Sequence, residues 1–335
     1  MRSGFEKNPR GLHTMKKSFV CKVLAVAALF AACVPAFAGK YDSWPEKDIH
    51  ILYYTRPGSG GDTFLRNLAA GLKDKLNGHS IVIENIIDPS GATPWGRVQR
   101  ANKDGYTLAC LSSTVVTADL ISHSPVKYQD FDYVCGLGMD PQYVYARKAA
   151  PYNTLPELVA YAQANPGKIN WGTATPTGSS TICSVEIIRK AGINVNRITF
   201  GTGGDILVNI LGGFADVGVG EYLDMRPQIE AGNLKLIALL ASQRNALNIP
   251  TAAEAGYNVI FDRPRGLAAP KGTDPELVAR MAEFFKQVYE SKSFMDYVKQ
   301  EAIDPVFQNG EEFLKSYQAI AKVIEDNREA LLGKK

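Results

Sequence analysis

Three short stretches combine glycine with hydroxyl residues just before runs that read as helices. The first is Arg56-Pro57-Gly58-Ser59-Gly60-Gly61-Asp62-Thr63, the second spans Thr173 to Thr181, and the third is Gly201-Thr202-Gly203-Gly204-Asp205. Such a junction leaves backbone N–H groups and hydroxyls pointing out of the turn. A helix N-terminus adds about half a positive charge, so each junction suits a carboxylate or phosphate. One such loop is a common structural turn; three in one chain point to a ligand site. A dinucleotide cradle fails on pattern, because Pro57 to Thr63 lacks the G-x-G-x-x-G spacing, and no G-x-x-x-x-G-K-[ST] is present. Catalysis has no visible apparatus either. His13, His50, His79 and His123 lie outside the three loops, and Ser179 and Ser180 form no G-x-S-x-G elbow. Cys183, a few residues into a helix, reads as a packing residue rather than an activated thiol. No catalytic residue, metal ligand set or cofactor is assigned.

The elements that would position these loops alternate along the chain. Strand patterns run over 48–54, 81–84, 106–111, 169–172, 197–200, 217–219 and 234–240. Helical patterns run over 63–76, 155–164, 180–191, 205–211 and 223–231, and the chain becomes helical over 275–291, 293–300 and 310–331. This alternation predicts an α/β architecture with largely parallel sheets. In open α/β sheets the strand-to-helix junctions sit at the carboxyl ends of the strands, where ligands bind. Two βα clusters and a helical tail fit two tandem domains, and fit equally two lobes that the chain crosses between more than once.

With 335 residues, 45% hydrophobic and 21% charged, the composition is that of an ordinary globular protein of about two domains. Residues 1–38 read as a leader. Met15-Lys16-Lys17 gives a positive start, Phe19 to Phe37 is apolar, and Ala36-Phe37-Ala38 ends it in a small-x-small pattern, with cleavage expected after Ala38. Residues 1–14 read as an extension upstream of a start at Met15; lipoprotein processing at Cys33 is a weaker alternative, with Phe30 a poor fit. Removing 1–38, which hold six Lys/Arg and one Glu, turns the formal charge of +3 into −2, from 31 basic and 33 acidic residues. A near-neutral chain without a basic cluster has no footprint for nucleic acid or anionic lipid. Three cysteines remain, Cys110, Cys135 and Cys183. They read as buried small hydrophobes, with a Cys110–Cys135 bridge left open.

A series of short motifs then appears in a fixed order: Trp44-Pro45, Pro57 to Asp62, Glu84-Asn85 before Pro89-Ser90-Gly91-Ala92, Asp104 to Leu108, Asn165 to Lys168, Gly178-Ser179-Ser180, Leu211-Gly212-Gly213, Pro250 to Gly256 and Gly266 to Pro270. Over nearly the whole mature length the chain resembles the Bug-type periplasmic receptors of tripartite tricarboxylate transporters. The resemblance implies a two-lobed flytrap fold, the type II-like periplasmic-binding-protein architecture, with an inter-lobe cleft. Lobe 1 would comprise 39–138 plus 264–335, and lobe 2 would comprise 139–263. It also implies that the first two loops hold a carboxylate from opposite sides. Carried onto this chain, those contacts fall on Gly58, Ser59, Gly60 and Gly61, and on Gly178, Ser179 and Ser180, with Thr173 and Thr175 joining them; the third loop adds Gly203.

The departures from the family pattern concern specificity. This chain has Thr55-Arg56-Pro57 where an apolar residue is usual, Gly220-Glu221 where Asp-Asn is usual, and Pro264-Arg265 where Trp-Phe is usual. Arginine grips a carboxylate with two donors, so Arg56 or Arg265 is a candidate for the ligand's far carboxylate. The alternative is a solvated arginine, or one paired with Asp262 or Glu221. The implied function is a monomeric, non-enzymatic receptor that captures a small mono- or dicarboxylate in the periplasm for integral-membrane permease subunits. A sensor presenting the bound carboxylate to a signalling protein would show the same loops.

Overall fold

The computed structural model describes residues 1, 4, 39–175 and 178–332. It divides into two compact units, Met1–Asp42 and Ser43–Lys335. In the first, described at Met1, Gly4 and 39–42, the Gly39 amide donates to the Asp42 carboxylate at 2.7 Å. The expected leader and its cleavage point, with Cys33, fall outside the described residues except for Met1 and Gly4.

The second unit is built on two sheets. The chain first forms β1 (Ile49–Tyr53), α1 (Gly60–Leu72), β2 (Ile81–Asn85), α2 (Ala92–Gln99), β3 (Thr107–Leu111), α3 (Thr114–Leu120) and β4 (Phe131–Met139). It then builds β5 (Gln142–Arg147), α4 (Leu155–Ala164), β6 (Asn170–Thr173), α5 (Ser179–Ala191), β7 (Asn196–Thr199), α6 (Gly203–Leu211), β8 (Val217–Glu221), α7 (Tyr222–Glu230) and β9 (Leu234–Leu239). It ends with β10 (Pro264–Pro270), α8 (Pro275–Lys286), α9 (Lys292–Gln300), β11 (Gln308–Asn309), α10 (Gly310–Asp326) and α11 (Arg328–Leu331). The first sheet has the order β11-β4-β10-β3-β1-β2 and the second β7-β6-β8-β5-β9. Each is the sheet of one lobe, so the α/β two-lobed architecture is borne out.

The sheets are mixed rather than largely parallel. β1 runs parallel to β2 and β3, and β6 to β7 and β8, but β10 is antiparallel to β3 and β4, and β5 to β8 and β9. The cause is the pair of crossings between lobes. β4 leaves the first sheet at Met139, and β10 returns beside it with Pro264 opposite Met139. The two connecting strands therefore run side by side in opposite directions, tied by the Asp140 amide donating to the Arg263 carbonyl at 2.9 Å. Neither β5 nor β10 shows the alternation of a half-exposed strand, because both are buried almost throughout.

Packing follows from apolar stripes. α10 is capped by Asn309 and Glu312 in a reciprocal capping box and buries Phe313, Tyr317, Ile320 and Ile324 along one face. Its C-terminal end reaches the other lobe, where Asn327 donates to Glu186 at 2.6 Å and accepts from Arg189 at 3.0 Å. One hydrophobic cluster accordingly runs from Leu52 and Trp95 to Trp171 and Val217. A Cys110–Cys135 bridge is excluded. Leu267 of β10 is the register partner of both cysteines. A whole strand thus separates them by roughly 9.6 Å, beyond the ~7 Å reach of a disulfide.

Candidate functional site

Gly58 takes φ +80°, a left-handed turn that favours glycine, and its amide donates to the Asp62 carboxylate at 2.8 Å. Asp62 also accepts from Arg66 at 2.9 Å and from Asn85 at 2.9 Å. Burial opposes its charge, but these donors more than offset it and hold the carboxyl below its ordinary range. Ser59 caps α1 by accepting from the Asp62 amide, and its own amide donates to the Arg56 carbonyl at 3.3 Å. The Gly58 and Ser59 amides are thus used inside the loop. The amides of Gly60 and Gly61, in the first turn of the helix, bond no described residue.

The other two loops repeat this design. The Gly178 amide donates to the Thr175 carbonyl at 2.9 Å, and the Ser179 and Ser180 amides at the start of α5 bond no described residue. Thr202 and Asp205 cap α6 reciprocally, and the Gly203 and Gly204 amides bond no described residue. In each loop the cap residue shapes the turn, and the next two amides are presented outward.

These amides meet around two adjoining cavities. One, of about 490 Å³, is walled by Gly58 to Gly61 from one lobe and by Gly178 and Ser179 from the other, with Arg56 and Arg265. The second, of about 660 Å³, is walled by Arg56, Thr175, Gly178 to Ser180 and Gly203. Arg56, Gly178, Ser179, Glu221 and Asp224 belong to both walls. Of the residues singled out in the sequence, Thr173 lines neither cavity. Its hydroxyl turns along the sheet edge toward Thr199 Oγ1, 3.3 Å away.

Sequence reasoning missed a fourth loop. Ser112-Ser113-Thr114 follows β3 and lines the smaller cavity, where Ser112 and Thr114 bond the Tyr54 hydroxyl at 3.0 and 2.9 Å. The signal was present, since a hydroxyl run after a strand is the same device without glycine.

The arginines behave differently from each other. Arg56 is exposed, and its guanidinium bonds no described residue. Arg265 is 7% exposed and gives Nε to Asp140 Oδ2 at 2.9 Å and Nη2 to both Asp140 and Glu221. Arg263 makes a parallel set, to Asp140 at 2.6 Å, Glu221 at 2.5 Å and the Ser179 hydroxyl at 3.0 Å. Two guanidiniums therefore face two carboxylates on the cleft floor, where the chain crosses between lobes. Burial works against the charge on Asp140, and Arg265 and Arg263 overcome it, holding that carboxyl well below its usual range. Burial and the neighbouring Asp140 act the other way on Glu221, which stays above its ordinary value despite both arginines. The Arg265 charge is thus matched within the protein. Ligand anions are left with the free amides, the hydroxyls and Arg56.

The lobes also touch across the cleft. A Cβ on Gly60 would lie 2.9 Å from Leu223 Cδ2 of α7, and one on Gly61 would lie 1.8 Å from the hydroxyl of buried Tyr53. Gly61 requires a bare backbone, whereas at Gly60 only the flexible tip of Leu223 would have to give way. Cys183 is fully buried and its thiol pushed far up by that burial, so it supplies no nucleophile. Among the described residues no group of three His, Cys, Asp or Glu could hold a metal, and no helix is long and apolar enough to cross a membrane.

The family model described as "Tripartite tricarboxylate transporter family receptor" matches residues 64–329. The chain belongs to that family. The receptor is 27% identical to the protein BugT of Bordetella pertussis over 85% of this chain and 90% of the relative. Its fold matches a TctC solute-binding protein from Polaromonas with a TM-score of 0.74 at 23% identity, covering 84% of this chain and 99% of that one. It also matches MatC from Rhodopseudomonas palustris with bound malate, at a TM-score of 0.67 and 22% identity, covering 86% and 100%. The receptor is a binding protein, not an enzyme.

Proposed function

We propose that this receptor captures a small organic carboxylate between its lobes and delivers it to the membrane permease of a tripartite transporter. The observation that carries this reading is the set of free amide pairs, Gly60-Gly61 from one lobe and Ser179-Ser180 from the other, at helix N-termini lining adjoining cavities. A ligand held by both lobes stabilises their approach, which is the differential contact a closing receptor needs. The lobes of this motion are 39–138 with 264–335, and 139–263, hinged at the paired crossings near Asp140 and Arg263. The malate bound to MatC supports a carboxylate as the ligand class. Export to the periplasm with cleavage after Ala38 belongs to the same reading. N-terminal sequencing of the exported protein tests it, and any start other than Gly39 moves the boundary.

Binding is tested by thermal unfolding of residues 39–335 against monocarboxylates, dicarboxylates, amino acids, sugars and nucleotides. A ligand at about a hundred times its dissociation constant stabilises by roughly 2.7 kcal/mol. With about 0.6 kcal/mol/K of unfolding entropy for a unit of this size, that is about 4 °C. A shift confined to carboxylate-bearing ligands supports the reading. A flat response to all of them, with a shift for a sugar or nucleotide, sinks it.

A further inference from the structure

A buried hydroxyl at the start of α1 has no partner within the protein. β1 ends on Tyr53, which is 3% exposed and packs edge-on against the Tyr54 ring with centroids 5.0 Å apart. The Tyr53 hydroxyl oxygen lies only 1.8 Å from where a Cβ on Gly61 would stand. In a helix the Cα–Cβ bond tilts toward the N-terminus. An oxygen in that place therefore sits beside the end of α1 at which the Gly60 and Gly61 amides are free. A buried phenol ordinarily finds a hydrogen-bond partner. Here the polar neighbours are already engaged: Ser112 and Thr114 with Tyr54, Ser59 with Thr55 and the Asp62 amide, and Arg265 with Asp140 and Glu221. The oxygen is not sealed inside the core, and Tyr53 lines the smaller cavity together with Gly60 and Gly61. That cavity is where its partner would sit.

Resting on the carboxylate reading above, we infer that Tyr53 is a ligand-binding residue whose phenolic O–H donates to the carboxylate held at the Gly60 and Gly61 amides. Two backbone amides and one hydroxyl of the same lobe then converge on a single carboxylate group. The hydroxyl stays protonated, because burial, and after it Tyr54, pushes its ionisation far up against the opposing pull of Arg265. The glycine at 61 belongs to the same device. Any side chain there would take the place of the phenol oxygen, so the bare backbone is what lets Tyr53 reach the helix end. A tyrosine that only packed would serve as well without its oxygen, and the test removes that atom alone.

The experiment is calorimetric titration of residues 39–335, as wild type and as Tyr53→Phe, with mono- and dicarboxylates that include propionate, succinate, malate and adipate. Tyr53→Phe should weaken each carboxylate that the wild type binds by about tenfold, the loss expected when a neutral donor is taken from a charged acceptor. The factor should agree among them to within about twofold, because the anchored carboxylate is common to all. The melting temperature of the ligand-free variant should not fall, since the oxygen bonds nothing in the protein and the ring keeps its packing. Affinities unchanged in Tyr53→Phe, with or without a lower melting temperature, make the hydroxyl a packing group and overturn the inference. A loss confined to one carboxylate sets the hydroxyl against the body of that ligand and overturns it as well. Both results leave the carboxylate reading standing. A wild-type protein that binds none of the series overturns both.

Discussion

Replacing Asp140 with Asn tests the buried charge cluster at the crossing. Asp140, Arg263 and Arg265 are 5%, 8% and 7% exposed, and both guanidiniums converge on Asp140 Oδ2. The substitution keeps the volume and removes the charge, leaving two buried cations against Glu221 alone. Breaking a buried pair by removing one partner costs about 3–5 kcal/mol, because the remaining charge stays desolvated. Residues 43–335 form one unit. At roughly 2.1 cal/mol/K per residue its unfolding entropy is about 0.6 kcal/mol/K, so the melting temperature should fall by about 5–8 °C. The control is Lys47→Ala, which breaks an exposed pair to Asp104. It should cost about 0–1 kcal/mol, or under 2 °C. Raising salt should shrink the control's effect and leave that of Asp140→Asn nearly intact, because buried charges are poorly screened. Adding Arg265→Met restores one cation against one anion and should recover at least half of the loss. Calorimetry on the ligand-free protein reads all three. If Asp140→Asn melts no lower than the Lys47 control, the cluster does not hold the crossing and the reasoning fails.

Asp304 gives a pH dependence of definite sign. Burial, then the charge on Asp262, pushes its carboxyl up to about 6, so its stabilising effect is complete below the unfolded value near 3.8 and is lost as pH rises through about 6. Asp304→Asn should therefore raise the melting temperature by a few degrees at pH 7.5 and by almost nothing at pH 4, and an equal gain at both would refute the assignment. Gly61→Ala drives a methyl into buried Tyr53, whereas Gly60→Ala meets only the flexible tip of Leu223. The first should cost about 1–3 kcal/mol of stability, and the second should chiefly weaken ligand binding; equal melting temperatures would contradict the packing. Finally, Cys110, Cys135 and Cys183 are buried and free. The folded protein of residues 39–335 should not react with a thiol reagent, and the unreduced, denatured protein should take up three equivalents. Any smaller number would reveal a bridge.

The sequence by itself determined the local devices. Glycine at Gly58 and the caps at Ser59, Thr202 and Asp205 are signals within a few residues of one another, and they fix which amides a helix start leaves free. Helical periodicity over 275–300 and 310–331, and the α/β alternation, were legible for the same reason. The mixed sheets were not, because β5 and β10 are buried almost throughout and carry no alternation that separates a crossing strand from any other apolar run. Nor was the fate of the arginines. The sequence left Arg265 open between a ligand grip and a pairing with Glu221; the fold decides for the pairing, 44 residues away, and adds Asp140, 125 residues away, which the sequence did not single out. Hydrogen bonds inside a turn are decided by neighbours in the chain. Which charge is matched and which faces an open cavity depends on partners that only the crossing of the two lobes brings together, and that is why Arg265 is neutralised while Asp224 is not.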